Sequence, residues 1–198
     1  RGGRPARPER RRQDDDAADA ARPRPPDGRP DPWSQTTLTE NLVDLGWHQK
    51  EFQDQVLSIS AYGWHQEVVT QCIRMITSGV FDRHPKLQII IGHMGEGLPF
   101  FYRRILEKMS EVTEKSLDKP FEQYFHDNFW FTTSAFPRSD LLHLLLKYIN
   151  VDRVMFATDY PFANIKIQTD WFRAVDLPRE AKEKIAFRNA EKLFGMKV

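Results

Sequence analysis

The sequence is poor in the features that mark secreted, membrane or nucleic-acid-binding proteins. It has one cysteine, Cys72, among 198 residues, so an internal disulfide framework is excluded and a reducing, cytoplasmic location is expected. No apolar run approaches the ~20 residues of a membrane span, and the N-terminus lacks the apolar core of a secretory signal peptide. The formal net charge is +1, which gives no global electrostatic reason to expect a nucleic-acid or membrane partner.

Large apolar side chains are missing from the N-terminal end of the sequence. Residues 1–32 contain no Val, Ile, Leu, Met, Phe, Tyr, Trp or Cys, so this stretch cannot bury enough apolar surface to offset the entropy of ordering it. The basic run Arg10–Arg12 is typical of an anion-binding or nucleic-acid-binding patch, but the acidic run Asp14–Asp16 nearly neutralises it. We therefore predict that residues 1–55 form a disordered or non-homologous segment and that residues 56–198 are globular.

The globular part alternates between short apolar runs and amphipathic stretches. Apolar runs predict strands at Leu87–Ile91, Phe129–Thr133 and Val154–Ala157, with Leu57–Ser60 as a candidate fourth. Helical spacing is predicted at Val68–Val80, Pro99–Val112, Pro120–Asp127, Leu141–Ile149 and Pro178–Phe194. Ser139 or Asp140 is expected to cap the fourth of these helices. The alternation indicates an α/β fold with parallel βαβ units, although the chain is short for a complete (β/α)8 barrel of roughly 250 residues.

Two of the predicted strands end in side chains that can carry chemistry. Asp159 follows the run at Val154–Ala157, and His93 follows the run at Leu87–Ile91. A titratable residue just past the carboxyl end of a buried parallel strand is where α/β-barrel enzymes place their active sites. Asp159 can bind a divalent metal or transfer a proton. The alternative is an N-cap or turn aspartate before Pro161.

His93 lies between two glycines, Gly92 and Gly95, which allow backbone and ligand to approach closely. Its imidazole can bind a metal, donate to a substrate oxygen or carry protons. Glu96, three residues later, can orient the ring or reach the substrate. The alternative for His93 is a hydrogen-bonded core histidine. His65, at the start of a predicted helix, is a weaker candidate for the border of the same pocket.

The motifs that carry a family resemblance occur in one order over about 140 residues. They are Gly79–Leu87, Gly92–Glu96, Phe156–Phe162 and Arg188–Phe194. Through them, the stretch from Ala61 to Val198 resembles the C-terminal part of the metal-dependent amidohydrolase-related family. It is most similar to the branch of aromatic-acid decarboxylases that act on γ-resorcylate, 2,3-dihydroxybenzoate and 5-carboxyvanillate. The resemblance implies the C-terminal part of a TIM (β/α)8 barrel.

The resemblance also implies roles for the candidate residues. Asp159 corresponds to the metal-binding aspartate of the last barrel strand, His93 to a histidine close to the metal and substrate, and Glu96 to the acid that accompanies that histidine. The implied cofactor is a divalent metal, Zn²⁺ or Mn²⁺, the implied substrate is a hydroxylated aromatic acid, and the parent family is expected to be homo-oligomeric. The implied reaction is non-oxidative decarboxylation. Metal-dependent hydrolysis and a non-catalytic fragment or interaction module are the alternatives.

The sequence departs from the family pattern in its metal ligands. The family has a His-x-His or Glu-x-His pair on the first strand and a histidine on the fifth, and neither occurs in this sequence. We therefore expect that the first half of the barrel is missing or is replaced by residues 1–55. We also expect that the activity of the 198-residue chain is impaired.

Overall fold

A computed structural model describes residues 56–196 of the chain. The predicted N-terminal segment, residues 1–55, lies outside the described residues. Within the described range, no helix combines the length and the apolar character needed to cross a membrane.

Three parallel strands form the sheet, in the order in which they occur in the chain. They are β1 (Ile89–Ile91), β2 (Phe129–Thr132) and β3 (Val154–Met155). Ile89 pairs with Phe129 and Phe131 pairs with Val154. Every residue of β2 is buried, as expected for a central strand covered on both faces. The predicted parallel arrangement is confirmed.

Eight α-helices surround or follow these strands in the described part of the chain. They are α1 (Gly63–Thr77), α2 (Val80–Arg83), α3 (Leu98–Thr113), α4 (Phe121–Asn128), α5 (Ser139–Tyr148), α6 (Ile165–Ala174), α7 (Arg179–Glu183) and α8 (Asn189–Phe194). Gly79 and Gly195 stand just beyond α1 and α8 in the left-handed conformation, with φ of 68° and 63°. A residue without a Cβ is favoured there, and each glycine directly follows the end of a helix.

Strand β3 is shorter than predicted because other groups take the hydrogen bonds that would extend it. The Phe156 N–H donates to the carbonyl of Ile185 at 2.7 Å. The hydroxyl of Thr133 accepts from the Ala157 N–H at 3.1 Å and donates to the Ala157 carbonyl at 3.0 Å. The chain therefore leaves the sheet two residues early, and Thr133 fixes the segment that leads to Asp159.

Two further predictions about local structure are wrong. Leu57–Ser60 is not a strand but part of a π-helical turn, Leu57–Ala61, and its apolar side chains Leu57 and Ile59 are exposed rather than covered by a sheet. Neither Ser139 nor Asp140 caps α5, which begins at Ser139. The Ser139 hydroxyl instead accepts a hydrogen bond from the Trp171 indole at 3.1 Å.

The C-terminal region contains one helix that was not predicted and one that is interrupted. Helix α6 begins after Asn164, whose side chain accepts from the Ile167 N–H at 3.2 Å. The predicted helix from Pro178 to Phe194 is divided into α7 and α8 by a π-helical turn, Lys184–Arg188. The carbonyl that bonds Phe156 belongs to this turn, so the turn is where the helix meets the end of β3.

Buried side-chain amides fasten the helices to the sheet. Asn189, 3% exposed, donates from Nδ2 to the carbonyls of Val151 and Val154, both at 2.7 Å. Asn128, fully buried, donates to the carbonyls of Pro85 and Leu87 at 3.2 and 2.9 Å. Each amide donates to two carbonyls at or just before the beginning of a strand. The strands are thereby fixed at the end opposite to His93 and Asp159.

The buried thiol of Cys72 leads to a prediction about pH and stability. Cys72 lies in α1 and is 4% exposed. Burial is the largest cause that raises its pKa, from 9.0 to about 12. A raised folded-state pKa gives stability that is present below the unfolded pKa and is lost as pH rises towards the folded value. Between pH 9.0 and about 12, Cys72 should therefore reduce the free energy of unfolding by about 1.4 kcal/mol per pH unit.

Urea unfolding of the wild type and of Cys72→Ala, measured at several values of pH above 9, tests this prediction. Cys72 is the chain's one cysteine, and the buried tyrosines that also titrate at high pH are common to both proteins. The difference between the two free energies should shrink as pH rises. Parallel pH profiles would contradict the raised pKa.

Candidate active site

The candidate residues meet at the carboxyl edge of the sheet. Strand β1 leads through Gly92 to His93, and strand β3 leads to Asp159. The Nε2 atom of His93 lies 3.8 Å from an Oδ2 atom of Asp159. Their side chains are 27% and 29% exposed, so a small molecule can reach both. The pattern of apolar runs predicts both residues at one edge of the sheet, and the strand directions confirm that placement.

The backbone around both residues adopts conformations that side chains rarely occupy. His93, Met94 and Glu96 have φ of 50°, 57° and 57°, and Asp159 has φ of 65°. Aspartate tolerates the left-handed region better than most residues, but each such position has a cost of order 1–3 kcal/mol. Strain of this kind is found where a fold holds side chains in a functional geometry.

Packing around the two loops maintains these conformations. Met94, within the loop after β1, and Leu98, at the beginning of α3, are 2% and 1% exposed. The Asp159 carbonyl accepts from the N–H groups of Phe162 and Ala163 at 2.8 and 3.0 Å. The Tyr160–Pro161 peptide that follows Asp159 is cis. Each loop is therefore held by buried side chains or by its own backbone hydrogen bonds.

Glu96 joins two histidines from different parts of the chain. Its side chain is 5% exposed, and its Oε1 atom lies 2.5 Å from Nδ1 of His93. Its Oε2 atom forms a short hydrogen bond with Nδ1 of His65, at the beginning of α1. The predicted contact between Glu96 and His93 is present. The contact with His65, a weaker candidate by sequence, extends the cluster to a second element.

An aromatic ring packs against both imidazoles. The Phe136 ring lies 5.6 Å from His93 and 6.0 Å from His65, measured between ring centroids, with interplanar angles of 71° and 84°. Phe136 follows β2 and is partly buried. Nothing in its sequence surroundings distinguishes it from the other phenylalanines, because its position depends on how β2 and α1 pack.

Charge around His93 favours the protonated ring. The pKa of His93 is raised, chiefly because Glu96 accepts its hydrogen bond, with further increases from the charges of Glu96 and Asp159. Partial burial opposes these effects. A protonated His93 would stabilise negative charge on Asp159 or on a bound carboxylate.

The geometry can contribute to a metal site but does not complete one. Metal–oxygen and metal–nitrogen distances of about 2.0–2.2 Å allow one ion to contact both Asp159 Oδ2 and His93 Nε2, which are 3.8 Å apart. Among residues 56–196, however, no group of three or more His, Cys, Asp or Glu side chains can hold a metal. The described residues thus offer two ligands, fewer than the three protein ligands of a catalytic zinc site.

The remaining histidines of the described chain lie apart from this cluster. His84 follows α2 and is exposed. His126 lies 3.9 Å from Glu122 within α4. His143 is exposed, and its Nε2 atom lies 3.2 Å from the Asp176 carbonyl.

The chain is similar to amidohydrolases and to aromatic-acid decarboxylases. The family model of the amidohydrolases (Amidohydro_2) matches residues 9–196; the boundary at residue 56 stays a prediction. The γ-resorcylate decarboxylase of Rhizobium sp. (strain MTP-10005) is 39% identical over 138 residues, which are 68% of this chain and 42% of that protein. The chain thus spans less than half the length of this curated relative.

Two solved structures are similar in fold as well as in sequence. The 5-carboxyvanillate decarboxylase LigW of Sphingomonas paucimobilis has a TM-score of 0.64 and 32% identity, over 69% of this chain and 42% of that one. The dihydroxybenzoic acid decarboxylase of Polaromonas sp. JS666, with bound manganese and the inhibitor 2-nitroresorcinol, has a TM-score of 0.62 and 33% identity, over 73% and 47%. The three strands and their helices therefore correspond to part of a TIM barrel.

Proposed function

Because the chain belongs to the amidohydrolase family, we propose that it forms part of a metal-dependent, non-oxidative decarboxylase of a hydroxylated aromatic acid. The observation that carries the proposal is the placement of Asp159 and the His93–Glu96 pair at one edge of the sheet, 3.8 Å apart at the closest atoms. The named activities of the relatives, decarboxylation of γ-resorcylate and 5-carboxyvanillate, support the substrate class.

A divalent ion fits the proposed site if the described residues supply some of its ligands and another part of the protein supplies the rest. Asp159 would hold it with His93 beside it, and the manganese in the relative from Polaromonas supports this choice of metal. When bound, Mn²⁺ or Zn²⁺ would neutralise the substrate carboxylate and the adjacent phenolate. At least one further protein ligand has to come from outside the described residues.

The proposed chemistry of Asp159 is a proton transfer to carbon. Its carboxyl group donates a proton to the ring carbon that bears the substrate carboxylate. The bond between that carbon and the carboxylate then breaks, its electron pair returns to the ring, and CO₂ leaves. The product is the corresponding phenol, so one proton is consumed for each CO₂ released.

The proposed role of His93 is to support this transfer. Glu96 holds its Nδ1 atom, and its Nε2 atom faces Asp159 at 3.8 Å. From there the imidazole can return a proton to Asp159 and stabilise negative charge on the substrate. Phe136 shields one side of both imidazoles from water, which strengthens these electrostatic interactions.

We further propose a cytoplasmic location and homo-oligomeric assembly for the whole enzyme. A single cysteine, buried as a thiol, suits a reducing compartment. Large apolar side chains on the surface support self-association. Examples are Phe100 in α3, 77% exposed, and Phe162 in the loop after Asp159, 89% exposed.

The proposed function is tested with a chimera, because the chain spans 42% of its curated relative. The N-terminal part of the Rhizobium γ-resorcylate decarboxylase is joined ahead of residue 56, and the protein is incubated with Mn²⁺ and 2,6-dihydroxybenzoate in D₂O. The expected product is resorcinol with deuterium at the carbon that lost its carboxylate, measured by NMR. The 198-residue chain, incubated in the same way, should form far less product.

The same experiment separates the two reaction classes. An ester and an amide of the same aromatic acid are included as substrates. Their hydrolysis without release of CO₂ from the free acid would favour a metal-dependent hydrolase and would contradict decarboxylation.

A further inference from the structure

The Glu96 carboxylate uses its two oxygens for two different histidines. Oε1 contacts Nδ1 of His93 at 2.5 Å, and Oε2 contacts Nδ1 of His65. An ionised carboxylate can only accept hydrogen bonds, so each of these Nδ1 atoms carries the hydrogen of its contact. Both rings thereby keep a hydrogen on Nδ1, in the neutral as well as in the protonated ring.

For His93 this arrangement determines which atom faces the reaction site. With Nδ1 bonded to Glu96, Nε2 is the ring atom that points to Asp159, at 3.8 Å. If Glu96 turned away, the hydrogen could move to Nε2, which is the other neutral form of the ring. The orientation of the Glu96 carboxylate therefore controls the chemical state that His93 presents to Asp159.

His65 is well placed to fix that orientation. His65 is the third residue of α1, which begins at Gly63. The beginning of this helix is in close contact with the preceding turn, because a Cβ at Gly63 would lie 1.8 Å from the Ser58 carbonyl oxygen. This contact holds the backbone of His65. Its ring packs edge-on against Phe136, the same ring that packs against His93. Among the described residues, no other side chain is hydrogen-bonded to Oε2 of Glu96.

A buried carboxylate oxygen without a partner is unfavourable. Without His65, Glu96, which is 5% exposed, would have two ways to satisfy both oxygens. The carboxylate could rotate towards solvent, or both of its oxygens could contact Nδ1 of His93. Either change alters the contact with His93.

We propose that His65 is a positioning residue: by holding one oxygen of Glu96, it keeps the other oxygen on Nδ1 of His93 and directs Nε2 of His93 to Asp159. His65 itself need not touch the substrate. The structural part of this inference stands on the contacts alone, and its consequence for catalysis rests on the proposed function.

The test measures by NMR which ring nitrogen of His93 carries a hydrogen, in the 198-residue chain without metal or substrate. The chain is labelled with ¹⁵N, and two-bond ¹H–¹⁵N correlation spectra are recorded in alkaline buffer. Single His→Gln variants assign the signals. In the wild type, His93 should show a protonated Nδ1 and an unprotonated Nε2.

Three variants separate positioning from general effects on the fold. His65→Ala should remove the single Nδ1–H form of His93 and give a mixture in which Nε2 also carries the hydrogen. His65→Asn should restore the wild-type pattern, because the Asn amide N–H lies near the position of Nδ1 and can donate to Glu96. His143→Ala removes an exposed histidine in α5 and should leave His93 unchanged. Circular dichroism establishes that each variant is folded.

Two results would overturn the proposal. One is an unchanged His93 pattern in folded His65→Ala, and the other is an equal disturbance by His65→Ala and His65→Asn. If His65→Ala does not fold, a disturbed pattern in folded His65→Asn would also count against it, and retention of the wild-type pattern there would support it. Since no substrate is present, these results do not depend on whether the chimera decarboxylates 2,6-dihydroxybenzoate.

Discussion

Asp159→Asn in the chimera is expected to abolish measurable decarboxylation. The amide cannot supply the carboxyl proton and is a weaker metal ligand, so the loss in kcat should be at least about 10³-fold, within the range for removal of an acid–base group. Asparagine has nearly the same volume as aspartate and also tolerates positive φ, which Asp159 requires with φ of 65°. The variant should therefore still fold, and its loss of activity should come from the missing proton donor and the weaker metal ligand.

Two comparison variants complete this experiment. His93→Ala should lower kcat by roughly 10²-fold, the typical worth of acid–base or electrostatic assistance. Asp152→Asn removes a carboxylate just before β3, where it pairs with Lys184 at 2.7 Å, at the opposite end of the strand from Asp159. That variant should keep the rate of the unmodified chimera. Undiminished turnover in Asp159→Asn would overturn the proposed mechanism.

The parts of the site that follow a strand could be predicted from the sequence. Apolar runs identified β1 and β3, and parallel strands place their carboxyl ends at one edge, so His93 and Asp159 were expected at the same edge of the sheet. The contact between Glu96 and His93 could also be predicted, because the two residues are only three positions apart in the chain. The family resemblance assigned the same residues; the matching family model confirms the family, and the roles of the residues stay a prediction.

The parts that depend on tertiary packing could not be predicted. His65 and Glu96 are 31 positions apart and meet because tertiary packing brings the beginning of α1 beside the loop after β1. The Thr133 hydroxyl replaces a strand hydrogen bond and shortens β3, and a hydroxyl in an apolar run gives no sign of that role. Leu57–Ser60 has an apolar content that suits a strand, but its residues form a π-helical turn against α1. In the first two cases contacts distant in the sequence override the local pattern, and in the third the neighbouring helix does.

The second large effect is expected at Gly95, in the loop that carries His93 and Glu96. Gly95 has φ of 83°, and a Cβ there would lie 2.9 Å from Cδ1 and 3.1 Å from Cε1 of Phe131. Phe131 is fully buried in β2, so its ring has little room to move. Gly95→Ala combines a left-handed backbone, about 1–2 kcal/mol, with overpacking of about 1–3 kcal/mol. The free energy of unfolding should fall by roughly 2–5 kcal/mol.

Gly92, on the other side of His93, provides the matched control. Its φ is −73°, and the atoms nearest to an added Cβ are those of the Ser134 side chain at 4.0 Å. Alanine fits there without strain, so Gly92→Ala should be neutral or stabilise by up to about 1 kcal/mol by restricting the unfolded chain. Urea unfolding of both variants measures the difference.

A double variant separates the two causes of the effect at Gly95. Phe131→Leu removes the ring atoms that an alanine at position 95 would meet. If steric overlap contributes, Gly95→Ala should be less destabilising in the Phe131→Leu background than in the wild type, and the part that remains measures the left-handed backbone. Equal changes in the free energy of unfolding for Gly95→Ala and Gly92→Ala would mean that the loop accepts side chains on both sides of His93. The positive φ values of His93, Met94 and Glu96 would then not be enforced by packing against β2.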